Sequence, residues 1–505
     1  MRLVGDISRL NARRFPQKPA LCCAGRVLTH GAADELANRV ANGLRAQGVR
    51  PGDRVAILSA NSLEYIPLVF AAAKCAAFCV PLNFRSSVDE LVYMLNDAQV
   101  ETLFVGPGFA STAAALRQRV SSLSRMISIA PGVDGMTDLE TLASAASPSD
   151  PGLEADEESG VVILYTSGTT GHPKGAVLSH RSVVEGAFQT ALATEVRHTD
   201  SVLVSVPLFH GGGLMVVSMP HLVLGATLVI QEKFDPVGTL RAIDTEAVTT
   251  FFGVPAQYAA LLDVTGVEDY ALRRLRTLWY GAAPMPPATL QRLLALWPQL
   301  RFVQSYGQTE TTLIASLGPD EHFSKPGATG RELPGIEMRV VNEDGDDVPA
   351  GAVGEIIVRR RTGMLGYYNN PQQTQEAIRD GWIYTGDLAR IDADRYITVV
   401  DRKRDVIVSG GENIYPKEIE DLLGQHPAIA QVAVIGVPDA KWGELPQAFV
   451  VLRAHAATDA DALNTWCLER MARYKRPRRW VFVDALPATA TGKVRKNVLR
   501  QMARE

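Results

Sequence analysis

RVAILSANSLEYIPLVFAAAKCAAFCVPL, residues 54–82, decides the fold. RVAIL (54–58) and FCVPL (78–82) are short apolar runs with β-branched residues, and EYIPLVFAAAKC (64–75) between them has helical spacing. Runs of four to eight apolar residues closed off by Gly, Pro or Asn are what strands buried on both faces look like, and a helix between two of them is a parallel crossover. Outward from this unit the same alternation continues through LFV (103–105), TLVI (227–230), TTFFGV (249–254), TLWYG (277–281) and RFVQSYG (301–307). The expected class is therefore α/β, with parallel-rich sheets joined by crossover helices over most of the chain. The last ~100 residues differ. Alternating stretches QVAVIGV (431–437), QAFVVL (447–452) and RWVFVD (479–484) flank helical patterns near 416–424 and 459–473, which predicts a small α+β domain. The junction is expected at the charged cluster DRKRD (401–405).

The chain has 505 residues, too many for one hydrophobic core, since cores stop growing near ~250–300 residues. Hydrophobic residues at 46% and charged residues at 21% exclude a disordered, collagen-like or coiled-coil chain. The net charge of −4 excludes a globally basic nucleic-acid binder, but its distribution is uneven. Residues 405–505 hold 14 basic and 12 acidic side chains, and 470–504 hold 11 basic residues against Asp484 alone. Five scattered cysteines (Cys22, Cys23, Cys75, Cys79 and Cys467) match neither a disulfide framework nor a zinc pattern and suit a cytoplasmic protein. The N-terminal stretch reads as an amphipathic helix packed on the body, with no apolar block of signal-peptide kind after it. Residues 201–231 carry no Asp, Glu, Lys or Arg, yet Pro207, His210, Gly211–Gly213 and Pro220 would break a membrane-spanning helix. We read strand (VLVSV), loop (PLFHGGG), buried helix (LMVVSMPHL) and strand (ATLVI), with no integral membrane segment.

The strongest local signal is YTSGTTGHPKG (165–175), directly after the strand-like VVIL. Glycines and small hydroxyl residues let backbone N–H groups converge on an anion, and Lys174 adds a charge. The Gly-Lys-Ser/Thr of a Walker loop is absent. Alone, such a stretch is equally a surface turn. SYGQTE (305–310) offers the flat face of Tyr306, the hydroxyl of Thr309 and the carboxylate of Glu310, an oxygen ligand suited to Mg²⁺. Asp387 in YTGD (384–387) is a short acid expected on a turn, able to accept from a diol.

TSGTTGHPKG (166–175) resembles the phosphate loop of the adenylate-forming superfamily, which includes acyl-CoA synthetases, luciferases and peptide-synthetase adenylation domains. GAAP (281–284), SYGQTE, YTGD, DRKRD, SGGENIYPKEIE (409–420) and ATGKVRK (490–496) follow in the family's order. The resemblance implies a large domain over 1–401, a hinge at 402–404 centred on Arg404, and a mobile lid domain over 405–505. It implies that Thr166, Ser167, Gly168, Thr169, Thr170, Gly171 and Lys174 hold ATP phosphates. Gly281, Ala282 and Ala283 would wall the adenine, Tyr306 would stack on it, and Asp387 with Arg402 would take the ribose. Catalysis would fall to Lys493, Thr309, Glu310 and His210, with Glu310 on Mg²⁺. Coenzyme A would meet Arg85, Gly410, Gly411, Trp442, Tyr474, Arg476 and Arg478. The acid would lie among His210, Gly211, Gly212, Gln257, Tyr258, Tyr280, Ser305 and Thr311.

The implied reaction joins a carboxylic acid to coenzyme A through an acyl-adenylate, using ATP and Mg²⁺. The pocket residues are small or apolar, with no Arg or Lys to pair a second carboxylate, so an apolar monocarboxylic acid is expected. A fatty acid is preferred and an aromatic acid of the benzoate or cinnamate kind is held beside it. Transfer to a carrier protein is the remaining alternative, disfavoured because no carrier segment follows. Small molecules are the expected partners, nucleic acid is not, and a homodimer is left open.

Overall fold

The computed structural model describes residues 1–152, 154–166, 173–283, 285–488 and 494–504, and the backbone alone of residue 360. The chain divides into two compact units. One comprises Met1–Ala282, Gln291–Met338 and Val358–Tyr384; the other comprises Ala283–Leu290, Arg339–Ile357 and Thr385–Glu505. The α/β reading holds. In the first unit the strands Arg54–Leu58 and Phe78–Pro81 pair in parallel around the helix Tyr65–Lys74, as the opening stretch predicts. They sit inside an eight-stranded sheet whose members Gly160–Thr166, Phe78–Pro81, Arg54–Leu58, Thr102–Val105 and Arg125–Ser128 run in parallel. Its other end is antiparallel, through Lys174–Ser179 and Gly366–Tyr367. A nine-stranded sheet has Pro19–Cys23, Thr227–Ile230, Ser201–Val204, Thr250–Gly253, Thr277–Gly281 and Arg301–Gln308 in parallel succession, then antiparallel Thr312–Leu317.

One core connects these two sheets. It runs from Ile57, Cys79 and Leu164 through Ile66, Val69 and Phe70 to Val204, Phe252 and Trp279. The helix Tyr65–Lys74 is buried over all ten residues, which is why it carries no polar face. Pro67 is tolerated because it stands in the first turn, where N–H groups have no partner inside the helix. Lys74 is the exception to this apolar setting. Its side chain is 3% exposed and its ammonium sits 3.0 Å from Asp34 and 2.9 Å from Asp150. Ser8 also donates to Asp34, at 2.7 Å. A buried ammonium needs such a partner, because without one a charge is stranded in the core.

The charge-free segment is no membrane span, and no helix among the described residues is long and apolar enough to be one. Its middle departs from the expected loop-then-helix. Gly212–Ser218 is a π-helix, followed by the α-helix Met219–Leu224. A Cβ on Gly213 would stand 2.2 Å from the carbonyl oxygen of Pro207, so the chain folds back too tightly there for any side chain. Ser218 then donates to the carbonyl of Gly213, five residues back, at 2.7 Å. The wider turn delivers Pro220, which has no N–H to give, into the start of the next helix.

In the second unit, Glu412–Ile414, Ile407–Ser409, Gly443–Leu452, Ile429–Asp439 and Arg479–Phe482 form a five-stranded mixed sheet. The helices Pro416–Leu423 and Ala460–Arg470 are where the sequence predicts them. Ile407, Ile419, Leu423, Val434, Val450 and Leu463 make its core. YTGD, read as a turn, is instead part of the strand Trp382–Ile391, paired antiparallel with Ile397–Arg402. Gly386 lets the strand bend there, with φ of +70° and open space where a Cβ would be.

Candidate active site

The Gly-rich motif YTSGTTGHPKG is flanked by two paired strands. Gly160–Thr166 leads in and Lys174–Ser179 leads out, with Thr166 directly opposite Lys174. Ser167, Gly168, Thr169, Thr170 and Gly171 lie outside the described residues, as does Lys493. The end of the leading strand is anchored by Tyr165. Tyr165 donates its hydroxyl to Asp97 Oδ2 at 2.6 Å, at the end of the helix Val88–Asp97. Burial raises the carboxyl of Asp97 above its usual range, with the tyrosine hydrogen bond opposing that shift. Ser87 caps the same helix by a reciprocal pair with Glu90, two residues after exposed Arg85. The guanidinium of Arg85 lies 5.4 Å from the ring centre of Phe84.

Three further strand ends bring candidate residues to the same unit. SYGQTE leaves the strand Arg301–Gln308 and turns at Thr309 and Glu310 into Thr312–Leu317. Buried Thr311 holds the turn, its Oγ1 accepting from the N–H of Gln308 at 3.1 Å. The carboxylate of Glu310 accepts the Tyr367 hydroxyl at 2.9 Å, and the ammonium of Lys174 stands 5.1 Å from the centre of that same ring. Gly211 lies beside Thr309, since a Cβ there would be 3.7 Å from its Oγ1. Gly281 is closed against the neighbouring strand, where a Cβ would meet the carbonyl of Ser305 at 2.7 Å. Ala282 follows with φ of +66° and is exposed, as is Ala283. Tyr306 is half-buried.

His210 accepts from the N–H of Gly212 at its Nδ1, at 3.0 Å, which assigns the proton of the neutral ring to Nε2. Several residues expected around the acid already have their polar atoms engaged. Tyr258 is fully buried and donates to the carbonyl of Trp279 at 2.9 Å. Ser305 accepts from the indole N–H of Trp279. Gln257 accepts from the N–H of Val254 at 3.0 Å, capping the helix Pro255–Leu262. The hydroxyl of Tyr280 lies 3.0 Å from Gln304 and 2.9 Å from His322, and burial raises its pKa. Phe209 meets Phe84 edge-on at 5.3 Å, and Phe84 meets Phe109 at 5.7 Å, which gives an aromatic group directly before His210.

The second unit carries its own set. Asp387 and Arg402 are register partners on adjacent strands, joined by an ion pair of 3.1 Å. Glu355 accepts from the N–H of Gly386 at 3.0 Å and from Lys403 at 3.1 Å. Arg404 stands exposed in the single turn Lys403–Asp405. Buried Asp405 is bound by Arg500 at 2.7 Å; burial raises its carboxyl, but that bond and nearby Lys496 pull it below the ordinary range. Gly410 has φ of +59°, and a Cβ there would fall 2.7 Å from the Trp442 ring, itself exposed. Gly411 is positive in φ and open. Arg476 donates to Asn464 at 2.8 Å, while Tyr474 and Arg478 are exposed.

The profile described as "AMP-binding enzyme" matches residues 9–368, and "AMP-binding enzyme C-terminal domain" matches 418–493. The chain belongs to the AMP-binding enzyme family. It is 39% identical to a feruloyl-CoA synthase of Amycolatopsis over 97% of both chains. It is 35% identical to a long-chain-fatty-acid–CoA ligase of Mycobacterium tuberculosis, over 94% of this chain and 93% of that one. The solved structure of ATP-bound MatB from Rhodopseudomonas palustris superposes with a TM-score of 0.90 at 32% identity, covering 99% of both chains.

Within this AMP-binding enzyme the donor set fits Mg²⁺. Among the described residues no three His, Cys, Asp or Glu side chains gather into a metal cage. Glu310 beside the hydroxyl of Thr309 is an all-oxygen pair, and Mg²⁺ characteristically takes one or two carboxylates and draws its remaining ligands from water and substrate phosphates. The sequence reading missed two residues here. Tyr367 carries no charge and lies 57 positions from Glu310, and Asp97 lies 68 from Tyr165. Neither spacing has a periodic signature.

Proposed function

We propose that this enzyme activates an apolar monocarboxylic acid with ATP and transfers it to coenzyme A. A carboxylate oxygen attacks the α-phosphorus and the bond to pyrophosphate breaks, giving the acyl-adenylate. The thiol sulfur of coenzyme A then attacks the acyl carbon, AMP leaves, and the thiol proton passes to solvent. The observation that carries this reading is the junction of Lys174, Tyr367 and Glu310 at the exit of the phosphate-loop strand. It provides one cation and one carboxylate next to the Gly-rich motif, as a metal–polyphosphate needs. In this reading residues 166–171 and Lys174 bind the phosphates, and Gly281, Ala282, Ala283 and Tyr306 receive the adenine. Asp387 and Arg402 take the ribose. Thr309 and Glu310 hold Mg²⁺, which when bound offsets the charge developing on the phosphates. Lys493 supplies a point charge to the α-phosphate and the attacking carboxylate. Arg404 is the hinge between 1–401 and 405–505. Arg85, Gly410, Gly411, Trp442, Tyr474, Arg476 and Arg478 receive coenzyme A.

For the acid we favour one bearing an aryl group. Phe209, Phe84 and Phe109 form a rigid aromatic group beside His210, suited to edge-to-face contact with a flat ring. The relative named for feruloyl-CoA points the same way. The fatty-acid reading retains the support of the long-chain relative, and Gly211 and Gly212 leave room for an alkyl chain. The five cysteines carry free thiols, and with ATP and coenzyme A as substrates we place the enzyme in the cytoplasm. Pyrophosphate release measured over alkanoates from C2 to C18, benzoates, cinnamates and dicarboxylates tests the assignment. Aryl acids are expected to give the highest kcat/KM, dicarboxylates none, and AMP release should require free coenzyme A. AMP release without coenzyme A refutes the ligase reading, and highest turnover on C12–C18 acids replaces the aryl group with an alkyl chain.

A further inference from the structure

Asp97 is an unfavourable residue for the place it occupies. It ends the helix Val88–Asp97, whose last turn holds no basic side chain. A carboxylate there meets the negative end of the helix dipole, where a lysine or arginine is the stabilising choice. It is also half-buried, and burial lifts its carboxyl above the usual range. A residue that breaks two local rules points to a task outside its own helix.

That task is to hold Tyr165. The tyrosine hydroxyl donates to Asp97 Oδ2 at 2.6 Å, and its oxygen also stands 3.2 Å from the Met94 carbonyl. Tyr165 comes directly before Thr166, and its register partner Gly175 comes directly after Lys174. The ring lies against that partner, since a Cβ on Gly175 would stand 3.2 Å from Tyr165 Cζ. The Gly175 carbonyl accepts from the N–H of Tyr368 at 2.7 Å, and the Asp97 carbonyl accepts from the side-chain amide of Asn369 at 2.9 Å. One helix end thus secures the strand leading to Thr166, the strand leaving from Lys174 and the 368–369 segment beside them. We infer that Tyr165 and Asp97 are positioning residues for ATP, acting through Thr166 and Lys174 rather than on the nucleotide itself. The inference rests on the reading above in which residues 166–171 and Lys174 bind the phosphates.

The test measures pyrophosphate release by the full-length enzyme against ATP, using the acid of highest turnover in the panel above, with the thermal midpoint followed alongside. Tyr165→Phe keeps the ring against Gly175 and loses the hydroxyl. It should raise KM for ATP about tenfold, the loss of one hydrogen bond to a charged group, and leave KM for the acid unchanged. Its midpoint should fall, because Asp97 stays half-buried without its donor. Asp97→Leu should raise KM for ATP to the same extent. Combined, the two substitutions should restore the midpoint, since neither polar partner remains, yet keep the tenfold loss without adding to it. Asp97→Asn keeps an acceptor for the hydroxyl and should stay within about threefold of wild type. A double variant whose KM for ATP recovers together with its midpoint overturns the inference, because the pair then serves stability alone. If Asp97→Leu does not fold, Tyr165→Phe against Asp97→Asn still decides the matter. A wild type that does not saturate with ATP removes the phosphate reading first; a saturating wild type whose KM is matched by Tyr165→Phe removes only the role of the pair.

Discussion

His30, His180 and His221 are all buried, and burial lowers each imidazole to about 4. Each is neutral in the folded enzyme through the mildly acidic range, whereas in the unfolded chain it takes up a proton near pH 6.5. Between pH 6.5 and 4 the unfolded state therefore binds more protons, and stability rises with pH across that window. His221 shows what the neutral ring does: its Nδ1–H donates to the Val217 carbonyl at 2.8 Å and its Nε2 accepts from the Thr250 hydroxyl at 3.0 Å. His221→Leu should lower the unfolding free energy at pH 7 by about 1–3 kcal/mol, by leaving two buried polar groups unmatched. The same variant should show a shallower loss between pH 6.5 and 4, by up to one proton. Urea titrations at pH 7, 6 and 5 measure both, and parallel slopes for the two proteins would refute the histidine assignment. At this scale the sequence names candidates such as Lys174 and Glu310 only through the motifs that contain them. It is silent where partners meet across the fold. Nothing near Lys74 predicts Asp150, and nothing near Glu310 predicts Tyr367.

Elements were readable wherever composition leaves one choice. Arg54–Leu58 and Thr277–Gly281 carry short apolar or aromatic runs between turn residues, and both are strands. The misreadings share a cause. PLFHGGG reads as loop because glycine disfavours helix, yet Gly212 and Gly213 stand in a π-helix, where the close approach to Pro207 demands a residue without Cβ. YTGD reads as turn for the same local reason, and strand pairing with Ile397–Arg402 overrides it. In both, a backbone contact made by the folded chain outweighs local propensity. Gly213→Ala should therefore destabilise by about 1–3 kcal/mol despite adding a helix-favouring methyl. Because the displaced turn begins at His210, its KM for the acid should also rise. Thermal unfolding and acid saturation curves check the two effects, and a Gly213→Ala enzyme of wild-type stability would contradict the tight fold-back.

Across the whole molecule, Arg402 and Arg404 stand three residues apart at most from Asp401 and Asp405, both buried and both bound, so the segment is held at its ends and exposed in its middle. A hinge at Arg404 requires its φ and ψ to change, which proline resists. Arg404→Pro should keep acid-dependent pyrophosphate release within about tenfold of wild type and lose thioester formation by two orders of magnitude or more. Assaying the half-reactions separately decides it, and a variant competent in both places the hinge elsewhere. The two-part division was legible in the charge split and the change of strand pattern. Inclusion of 339–357 and 385–400 with the C-terminal unit was not, because those strands look like any others in the chain.

The buried Lys74 has a consequence for how the protein is made. Asp150 follows it by 76 residues, so the helix Tyr65–Lys74 emerges from the ribosome well ahead of its second counter-charge. At ordinary synthesis rates of ~5–20 residues per second the delay is on the order of seconds. Through that interval the ammonium of Lys74 has Asp34 as its only carboxylate partner of the two. Arrival of the 147–152 segment completes the ion triad, just before the strand Gly160–Thr166 is translated.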